Sequence, residues 1–329
     1  MTFETLTSEA LAVELELAID ASIVRLGGGT EALRPSHRQF FHWPPHPISY
    51  SFHVLASDWT GHESFIAHGE TFSVRTAKTP HGVFGRCDAI WHEDRGDTLE
   101  EMLANLTASS EPLFQRQLQI NETLGRPGRF TGHLRDLPAL DLLMLLYCEN
   151  RDVANEAKVE IETHASSDIF LPALLLILAD KKHPNRRSAQ WCVLDLFEDL
   201  VSFVTSEQDQ KRAMDTIRAL IWDAEDDYAR TIYKAGVVLG GHMPDVFGAP
   251  ILLDCLNAPS RMGRRSAIHG LFHVVEWAPN WREDVVSALR ARTATEPDLY
   301  LKEYARGMAN DIEQAEIEHV PDPIFPDEL

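Results

Sequence analysis

Hydrophobic and polar positions follow two different patterns along the chain, and the pattern changes near residue 110. The segment LTSEALAVELELAIDASIVRLGGG has the apolar spacing of an amphipathic helix, which the three consecutive glycines bring to an end. The runs ISYSFHVLAS, ESFIAHG, ETFSVRTA and VFGRCDAIWHE alternate in places and are separated by turn residues, which is typical of β-strands. We therefore expect residues 1–110 to form a small α/β module, in which an antiparallel sheet packs against the first helix.

From about residue 111 to residue 318 the pattern is helical and repetitive. Alanines recur at intervals of 35, 40, 38 and 38 residues, each at the opening of a helical segment that follows another one: Ala154, Ala189, Ala229, Ala267 and Ala305. Helix–turn–helix units of this length indicate an α-solenoid. The predicted fold class is mainly α, with about five helical pairs over residues 111–318. Residues 1–110 form a capping module before them, and residues 319–329 form an acidic, Pro-rich tail.

The tetrapeptide RRSA occurs at residues 186–189 and again at residues 264–267, each time after a proline and at the start of the second helix of a pair. This combination of a proline with an Arg-x-x-Ala opening resembles HEAT repeats and their bacterial short-repeat relatives, over about residues 135–318. The resemblance implies a right-handed solenoid whose second helices line the concave surface. It implies no single activity, because that family contains scaffolds, chaperones, lyase-like proteins and a few enzymes.

Opposite their buried faces, the second helices carry a narrow stripe of polar and aromatic residues. An α-helix turns by about 100° per residue. On this basis Trp191, Asp195 and Glu198 of one helix lie at the same angles around the helix axis as His269, His273 and Glu276 of another helix, two repeats later. The second helix between them adds two cations near the same stripe. The candidate binding residues of the concave surface are Trp191, Asp195 and Glu198, then Arg230 and Lys234, then His269, His273 and Glu276.

Three general interpretations of this stripe remain open. The stripe can be a solvated face of charge pairs between neighbouring repeats, each worth about 0–1 kcal/mol. It can be a groove that binds a protein or peptide, since the concave surface of a solenoid is the usual place for one. It can also hold a divalent metal ion, because His269, His273 and Glu276 would place two imidazoles and a carboxylate on one helix face.

A fourth interpretation rests on Asp195 and Arg230, which lie four and 39 residues after Trp191. This set is similar to the Trp, Asp and Arg residues that line the cleft of HEAT-like alkylpurine DNA glycosylases. The similarity implies that the aspartate stabilises a cationic, sugar-like transition state and that the tryptophan stacks on the cationic base. The second cleft tryptophan of that family would fall near His269, where this chain departs from the pattern.

The net charge bears on the choice of partner. The 329 residues include 30 Lys and Arg against 51 Asp and Glu, a formal net charge of −21. Nucleic acid and anionic membranes repel such a chain unless its cations gather on one face. We therefore expect neither as a partner, and a basic protein is the more compatible one. Apart from the metal considered above, no cofactor is expected, because P-loop, GxGxxG and CxxC patterns do not occur.

Three features predict a cytoplasmic location. Four cysteines in separate apolar contexts are typical of reduced, buried thiols. The N-terminus MTFETLTSEA lacks the basic region of a signal peptide. The longest apolar run, IFLPALLLILA, is about half as long as a membrane span and predicts a core helix. The sequence thus predicts a cytoplasmic scaffold, adaptor, chaperone or inhibitor that binds protein, with a concave-face enzyme as the alternative.

Overall fold

The computed structural model describes residues 8–25, 59–90, 92–163, 170–200, 206–226 and 228–314. The chain divides into two compact units, one formed by Ser36–Ala157 and the other by Met1–Pro35 together with Lys158–Leu329. Over the described residues the chain is mainly helical, with twelve α-helices and one four-stranded antiparallel sheet. The predicted class, mainly α with a small antiparallel sheet before the series of helices, is therefore confirmed.

The unit Ser36–Ala157 contains the sheet. Its strands follow one another in chain order and pair antiparallel: β1 (Trp59–Ala67), β2 (Glu70–Thr79), β3 (Gly82–Cys87) and β4 (His92–Gly96). Between β1 and β2 the chain turns at His68 and Gly69, whose φ angles are 51° and 76°, as expected for a two-residue hairpin turn. These strands confirm three of the predicted segments, whereas ISYSFHVLAS lies outside the described residues.

Helix α2 (Leu99–Thr123) packs against this sheet. Thr98 caps the helix by accepting a hydrogen bond from the backbone amide of Glu101 at 3.1 Å. The helix and the strands share one core, which includes Phe65, Phe72, Val74, Met102, Leu106 and Phe114. The predicted boundary at residue 110 falls inside α2, and one boundary between the two compact units lies between Ala157 and Lys158. Two further helices follow α2, namely α3 (Ala139–Leu145) and α4 (Arg151–Glu162). The boundary between Ala157 and Lys158 lies within α4.

The second unit consists of helices. It contains α1 (Ser8–Arg25), α5 (Leu171–Ala179), α6 (Arg186–Leu200), α7 (Glu207–Trp222), α8 (Ala229–His242), α9 (Ala249–Cys255), α10 (Arg261–Trp277), α11 (Arg282–Thr295) and α12 (Leu299–Gln314). Helices α5 to α12 form four consecutive pairs, and the two helices of each pair contact each other. In chain order, the first helices of the pairs contact one another, and so do the second helices. The predicted acidic tail lies outside the described residues.

The recurring alanines lie near the starts of helices, as their positions in the sequence predict. They lie within the first two turns of α4, α6, α8, α10 and α12. Four of them have no exposed surface: Ala154, Ala189, Ala267 and Ala305. A methyl side chain at this point lets a neighbouring helix approach closely, which explains why alanine recurs there.

The structure corrects the prediction that the sheet packs against the first helix. Helix α1 packs against α5, and its apolar residues Leu11, Leu15 and Ile19 are buried. The reason is the sequence of α5, LPALLLILA, which is apolar on nearly every side and needs more than one element to cover it. The strands are covered by α2, whose own apolar stripe faces them.

The apolar run that ends at Ala179 forms the short helix α5, in which Leu171, Leu174 and Ile177 are buried, so the predicted core helix is confirmed. None of the described helices is long and apolar enough to cross a membrane. All four cysteines are buried thiols, as predicted. Burial raises the pKa of the Cys255 thiol to about 12, which keeps it protonated and unreactive near neutral pH.

Helices α8 and α10 approach each other at glycines. A Cβ atom on Gly240 would lie 2.1 Å from the backbone oxygen of Gly270, and one on Gly236 would lie 2.4 Å from that of Ser266. Any side chain at these positions would push the two helices apart. The close approach matters for the site described below, because it sets the distance between side chains of α8 and α10.

We expect Gly240→Ala to lower the free energy of unfolding by about 1–3 kcal/mol in a urea titration, because the new methyl group must displace backbone. Gly241→Ala is the matched control, since a Cβ atom there meets nothing within 4 Å. This control should be neutral or more stable by up to about 1 kcal/mol, because alanine favours helix over glycine. Equal losses in both variants would show that the helix contact is not the cause.

Candidate functional site

The second helices bring the predicted stripe residues together in two clusters. The Trp191 cluster joins α4, α6 and α8 and consists of Lys158, Trp191, Asp195, Glu198, Arg230 and Lys234. The His269 cluster joins α8, α10 and α12 and consists of Tyr233, His269, His273, Glu276 and Tyr304. All eight predicted binding residues belong to one cluster or the other. The clusters adjoin on α8, where Tyr233 and Lys234 are consecutive.

In the Trp191 cluster, two lysines hold the carboxylate of Asp195. Lys158 Nζ lies 3.1 Å from Asp195 Oδ2, and Lys234 forms an ion pair with Asp195 Oδ1. Lys234 Nζ also lies 3.6 Å from Glu198 Oε1. The side chains of Lys234 and Asp195 are only 11% and 19% exposed, so solvent screens this pair less than an ordinary surface pair. Both oxygens of Asp195 are therefore engaged within the chain.

The ring of Trp191 is covered by cations of the next second helix. The guanidinium carbon of Arg230 lies 4.4 Å from the ring centroid, and Lys234 Nζ lies 4.3 Å from it. Both distances are within the range of a cation–π interaction. The tryptophan thus holds the two basic side chains in place.

The charge balance of this cluster differs from that of the whole chain. Among the described residues of this cluster, three cations face two carboxylates and leave an excess of one positive charge, whereas the chain as a whole carries −21. The expectation of a basic partner rested on the net charge. The described side chains around Trp191 do not form the acidic patch that such a partner would need.

His269 is at the centre of the second cluster and is 2% exposed. Its Nδ1 lies 2.8 Å from Tyr304 Oη, and its Nε2 lies 3.1 Å from His273 Nε2 and forms a hydrogen bond with the Tyr233 hydroxyl. His273 Nδ1 lies 3.0 Å from Glu276 Oε2. These contacts make one continuous hydrogen-bonded chain from an exposed carboxylate to two phenols.

The environment of His269 favours its neutral form. Burial lowers the pKa of His269 to about 3, and the neighbouring His273 and Arg265 act in the same direction. Burial also raises the pKa of Tyr304 above its ordinary value. Near neutral pH both groups are uncharged, so His269 can donate through one ring nitrogen and accept through the other.

Beside the His269 cluster, α10 carries a row of residues spaced four positions apart, each in contact range of the next and turned from it by about 40° around the helix. This row consists of Arg261, Arg265, His269, His273 and Trp277. Tyr300 of α12 lies against the first two, with its ring centroid 5.7 and 5.6 Å from their guanidinium carbons, and it stacks on Tyr304 at 6.1 Å. Trp277 is 67% exposed and Tyr300 is 50% exposed. Large exposed aromatic side chains therefore border a partly buried polar cluster.

The predicted metal site does not fit this arrangement. Glu276 contacts Nδ1 of His273, whereas His269 faces Nε2 on the other side of the same ring, so the three groups do not converge on one point. In the part of the chain that the structure describes, no group of three or more His, Cys, Asp or Glu side chains could hold a metal ion. The ring nitrogens of the two histidines contact phenols, a carboxylate and each other instead.

Trp191, Asp195 and Arg230, the set similar to that of alkylpurine DNA glycosylases, do lie together. Their contacts occupy the groups that the chemistry would need. Arg230 and Lys234 cover the Trp191 ring, on which a cationic base would have to stack. Lys158 and Lys234 neutralise Asp195, which would have to stabilise a developing positive charge.

The sheet unit holds a serine, a histidine and an aspartate in contact. His92 Nε2 lies 2.7 Å from Ser109 Oγ, which in turn donates to Asp94 Oδ2 at 2.5 Å. In a catalytic triad the aspartate orients the histidine, and the histidine takes the proton of the serine. Here the aspartate contacts the serine, so the arrangement ties β4 to α2 and is not a nucleophilic triad.

Several residues of the site were not predicted from the sequence. Trp277 could have been considered from the sequence, because it follows His273 of the stripe by four residues on α10. Tyr304 could also have been considered, since it begins a Tyr-Ala-Arg sequence that repeats the one at residues 228–230. Lys158 could not, because its contact with Asp195 joins residues 37 positions apart on different helices.

No protein family model, curated protein or solved structure matches the chain. Its function must therefore be inferred from the geometry of the two clusters and of the exposed aromatic residues beside them.

Proposed function

We propose that the chain is a protein-binding scaffold, and that its partner docks on the surface formed by the Trp191 and His269 clusters. The observation that carries this proposal is the exposure of Trp277 and Tyr300, at 67% and 50%. Tryptophan and tyrosine are enriched among the residues that dominate binding energy at protein interfaces. Tyr300 lies beside the guanidinium groups of Arg261 and Arg265, which are polar groups of the kind found at the rim of an interface.

The order of helix contacts supports a solenoid as the framework of this scaffold. The second helices α6, α8, α10 and α12 contact one another in sequence, as do the first helices α5, α7, α9 and α11. In a solenoid the second helices all belong to one surface, which suits an extended partner. The proposal includes the right-handed, concave form implied by the HEAT resemblance and a cytoplasmic location.

The polar groups of this surface are held in place before any partner arrives. Lys234 is fixed by two carboxylates and by the Trp191 ring, and His269 is fixed by two phenols. Side chains that are already ordered lose little conformational entropy on binding. A fixed polar surface therefore favours specific recognition of one partner over loose association with many.

An enzyme of the glycosylase or metal-dependent type has less support. The tryptophan and aspartate of the first type are engaged by the chain's own cations, and the ligands of the second type do not converge. A partner protein can bind to this surface without breaking the contacts of Trp191, Asp195 or His269 within the chain.

The test is a comparison of tagged full-length chains expressed at native level in the source cells. The wild type should retain one protein in stoichiometric amount, and Trp277→Ala/Tyr300→Ala should lose it. Leu176→Ala on α5 is the matched control, because Leu176 is 38% exposed and lies on a first helix. Titration calorimetry with the purified partner should then show a loss of affinity of about 10-fold or more in the double variant only.

Two outcomes would contradict the proposal. Equal affinity of the wild type and the double variant for the partner would move docking away from this surface. Isolation of the chain without any protein, but with a bound small molecule that depends on the Trp191 or His269 cluster, would favour the enzyme alternative.

A further inference from the structure

Among the residues that the structure describes, Arg230 differs from the other cations of the Trp191 cluster in having no hydrogen-bond acceptor. Its guanidinium group stacks on Trp191 at 4.4 Å, and within the described residues this is the interaction that holds it. A guanidinium carries five N–H donors in a fixed planar fork, which matches the two oxygens of a carboxylate. Stacking on a ring leaves the edge of that fork available.

Arg218 is a useful comparison within the same protein, because its stacked guanidinium group is also bound to a carboxylate. Arg218 stacks on Trp222 at 4.8 Å, and its guanidinium also donates to the carboxylate of Asp254, with Nε at 3.0 Å from Oδ2. In the Trp191 cluster the two carboxylates contact the lysines instead: Asp195 contacts Lys158 and Lys234, and Glu198 contacts Lys234. The tryptophan–arginine pair at Arg230 thus lacks the carboxylate that completes the pair at Arg218.

We propose that Arg230 is the docking point for a carboxylate of the partner, and that the partner therefore presents an acidic peptide segment to the Trp191 cluster. This inference rests on the proposed function and names the chemistry of its partner. The incoming carboxylate takes the position at Arg230 that Asp254 takes at Arg218. The local charge of +1 favours its approach, although the chain as a whole is acidic.

Charge favours an acidic peptide over a nucleic acid. A nucleic acid carries a phosphate at every nucleotide and is bound through many cations along its backbone. As far as the structure describes it, the Trp191 cluster offers one guanidinium without an acceptor, beside lysines already paired with carboxylates, on a chain of net charge −21. One such group can hold a single carboxylate of a peptide whose other residues contact apolar surface. It cannot neutralise a run of phosphates.

The test uses the full-length chain and a fluorescein-labelled peptide of alternating Glu and Leu residues, followed by fluorescence anisotropy at low salt. A peptide with Gln in place of each Glu shows how much binding comes from the carboxylates. We expect the wild type to prefer the Glu peptide, and Arg230→Ala to weaken its binding by about 10- to 100-fold. Arg230→Lys should restore only part of the affinity, since lysine cannot bind a carboxylate through two parallel hydrogen bonds.

Two arginines serve as matched controls. Arg218→Ala removes a stacked arginine whose fork is engaged, and Arg306→Ala removes the arginine at the repeat-equivalent position, which donates to Glu303 at 2.8 Å. Both should bind the Glu peptide like the wild type. Thermal unfolding by circular dichroism confirms that each variant is folded before it is titrated.

Three results would overturn the inference. They are equal binding of the Glu and Gln peptides by the wild type, unchanged binding by Arg230→Ala, and tighter Arg230-dependent binding of labelled oligothymidylate than of the Glu peptide. The last result would replace the acidic peptide with a nucleic acid. If a partner is nevertheless lost in Trp277→Ala/Tyr300→Ala, the scaffold function stands and only its acidic segment is refuted. If Arg230→Ala binds the Glu peptide like the wild type and Trp277→Ala/Tyr300→Ala also retains the partner, both proposals are refuted.

Discussion

Glu296→Ala is expected to lower the free energy of unfolding by about 3–5 kcal/mol, because it leaves two enclosed arginines without their counter-charge. The side chain of Glu296 has no exposed surface. It accepts hydrogen bonds from Arg264 Nε and Nη2, both at 2.9 Å, and from Arg292 Nε at 2.7 Å. Arg264 also donates to the carbonyl oxygens of Ala258 and Pro259, so the same group holds the turn before α10.

Urea unfolding monitored by circular dichroism measures this loss. Glu303→Ala is the control, because Glu303 also pairs with an arginine but its side chain is 65% exposed. An exposed pair of this kind contributes at most about 1 kcal/mol. If Glu296→Ala cost no more than the control, water would have to reach both arginines, which contradicts the burial described here.

His269 is expected to make the protein less stable as the pH falls below about 6.5, by about 2 kcal/mol at pH 5. The folded chain holds the pKa of this imidazole at about 3, because the group is buried and lies beside His273 and Arg265. In the unfolded chain the pKa returns to 6.5, the ordinary value. Between these values the unfolded state binds a proton that the folded state does not, so acid favours unfolding. The full effect, reached near pH 3, is roughly 4–5 kcal/mol.

The measurement is a pair of urea titrations, at pH 7.5 and pH 5, of the wild type and of His269→Gln. Glutamine keeps a donor and an acceptor for Tyr233 and Tyr304 but does not titrate in this range. The wild type should lose about 2 kcal/mol more than the variant between the two pH values, whatever the stability of the variant at pH 7.5. Equal losses would show that His269 is protonated in the folded state or remains accessible to water.

The positions of apolar residues were sufficient to predict most of the local structure. Alternation predicted β1 to β3, and the recurring alanines predicted the openings of α4, α6, α8, α10 and α12. The same reasoning placed six stripe residues on the side of α6 and α10 opposite their apolar faces, but it did not predict that Tyr233 and Tyr304 bury His269 on that side. It failed for α1, whose apolar stripe fits any apolar surface of suitable size, so the choice of α5 over the sheet could not be made locally.

What the sequence determined by itself is the order of the helices and strands and the helix faces that carry polar residues, because both depend on neighbours within a few positions. The tertiary structure alone decided which polar residues meet. Asp195 contacts lysines 37 and 39 positions away, and His269 contacts tyrosines 36 and 35 positions away. These contacts depend on the spacing of packed helices, and for Tyr233 and His269 that spacing follows from the close backbone approach of α8 and α10 at glycines. Helical periodicity carries no information about this spacing, because it describes the residues of one helix at a time.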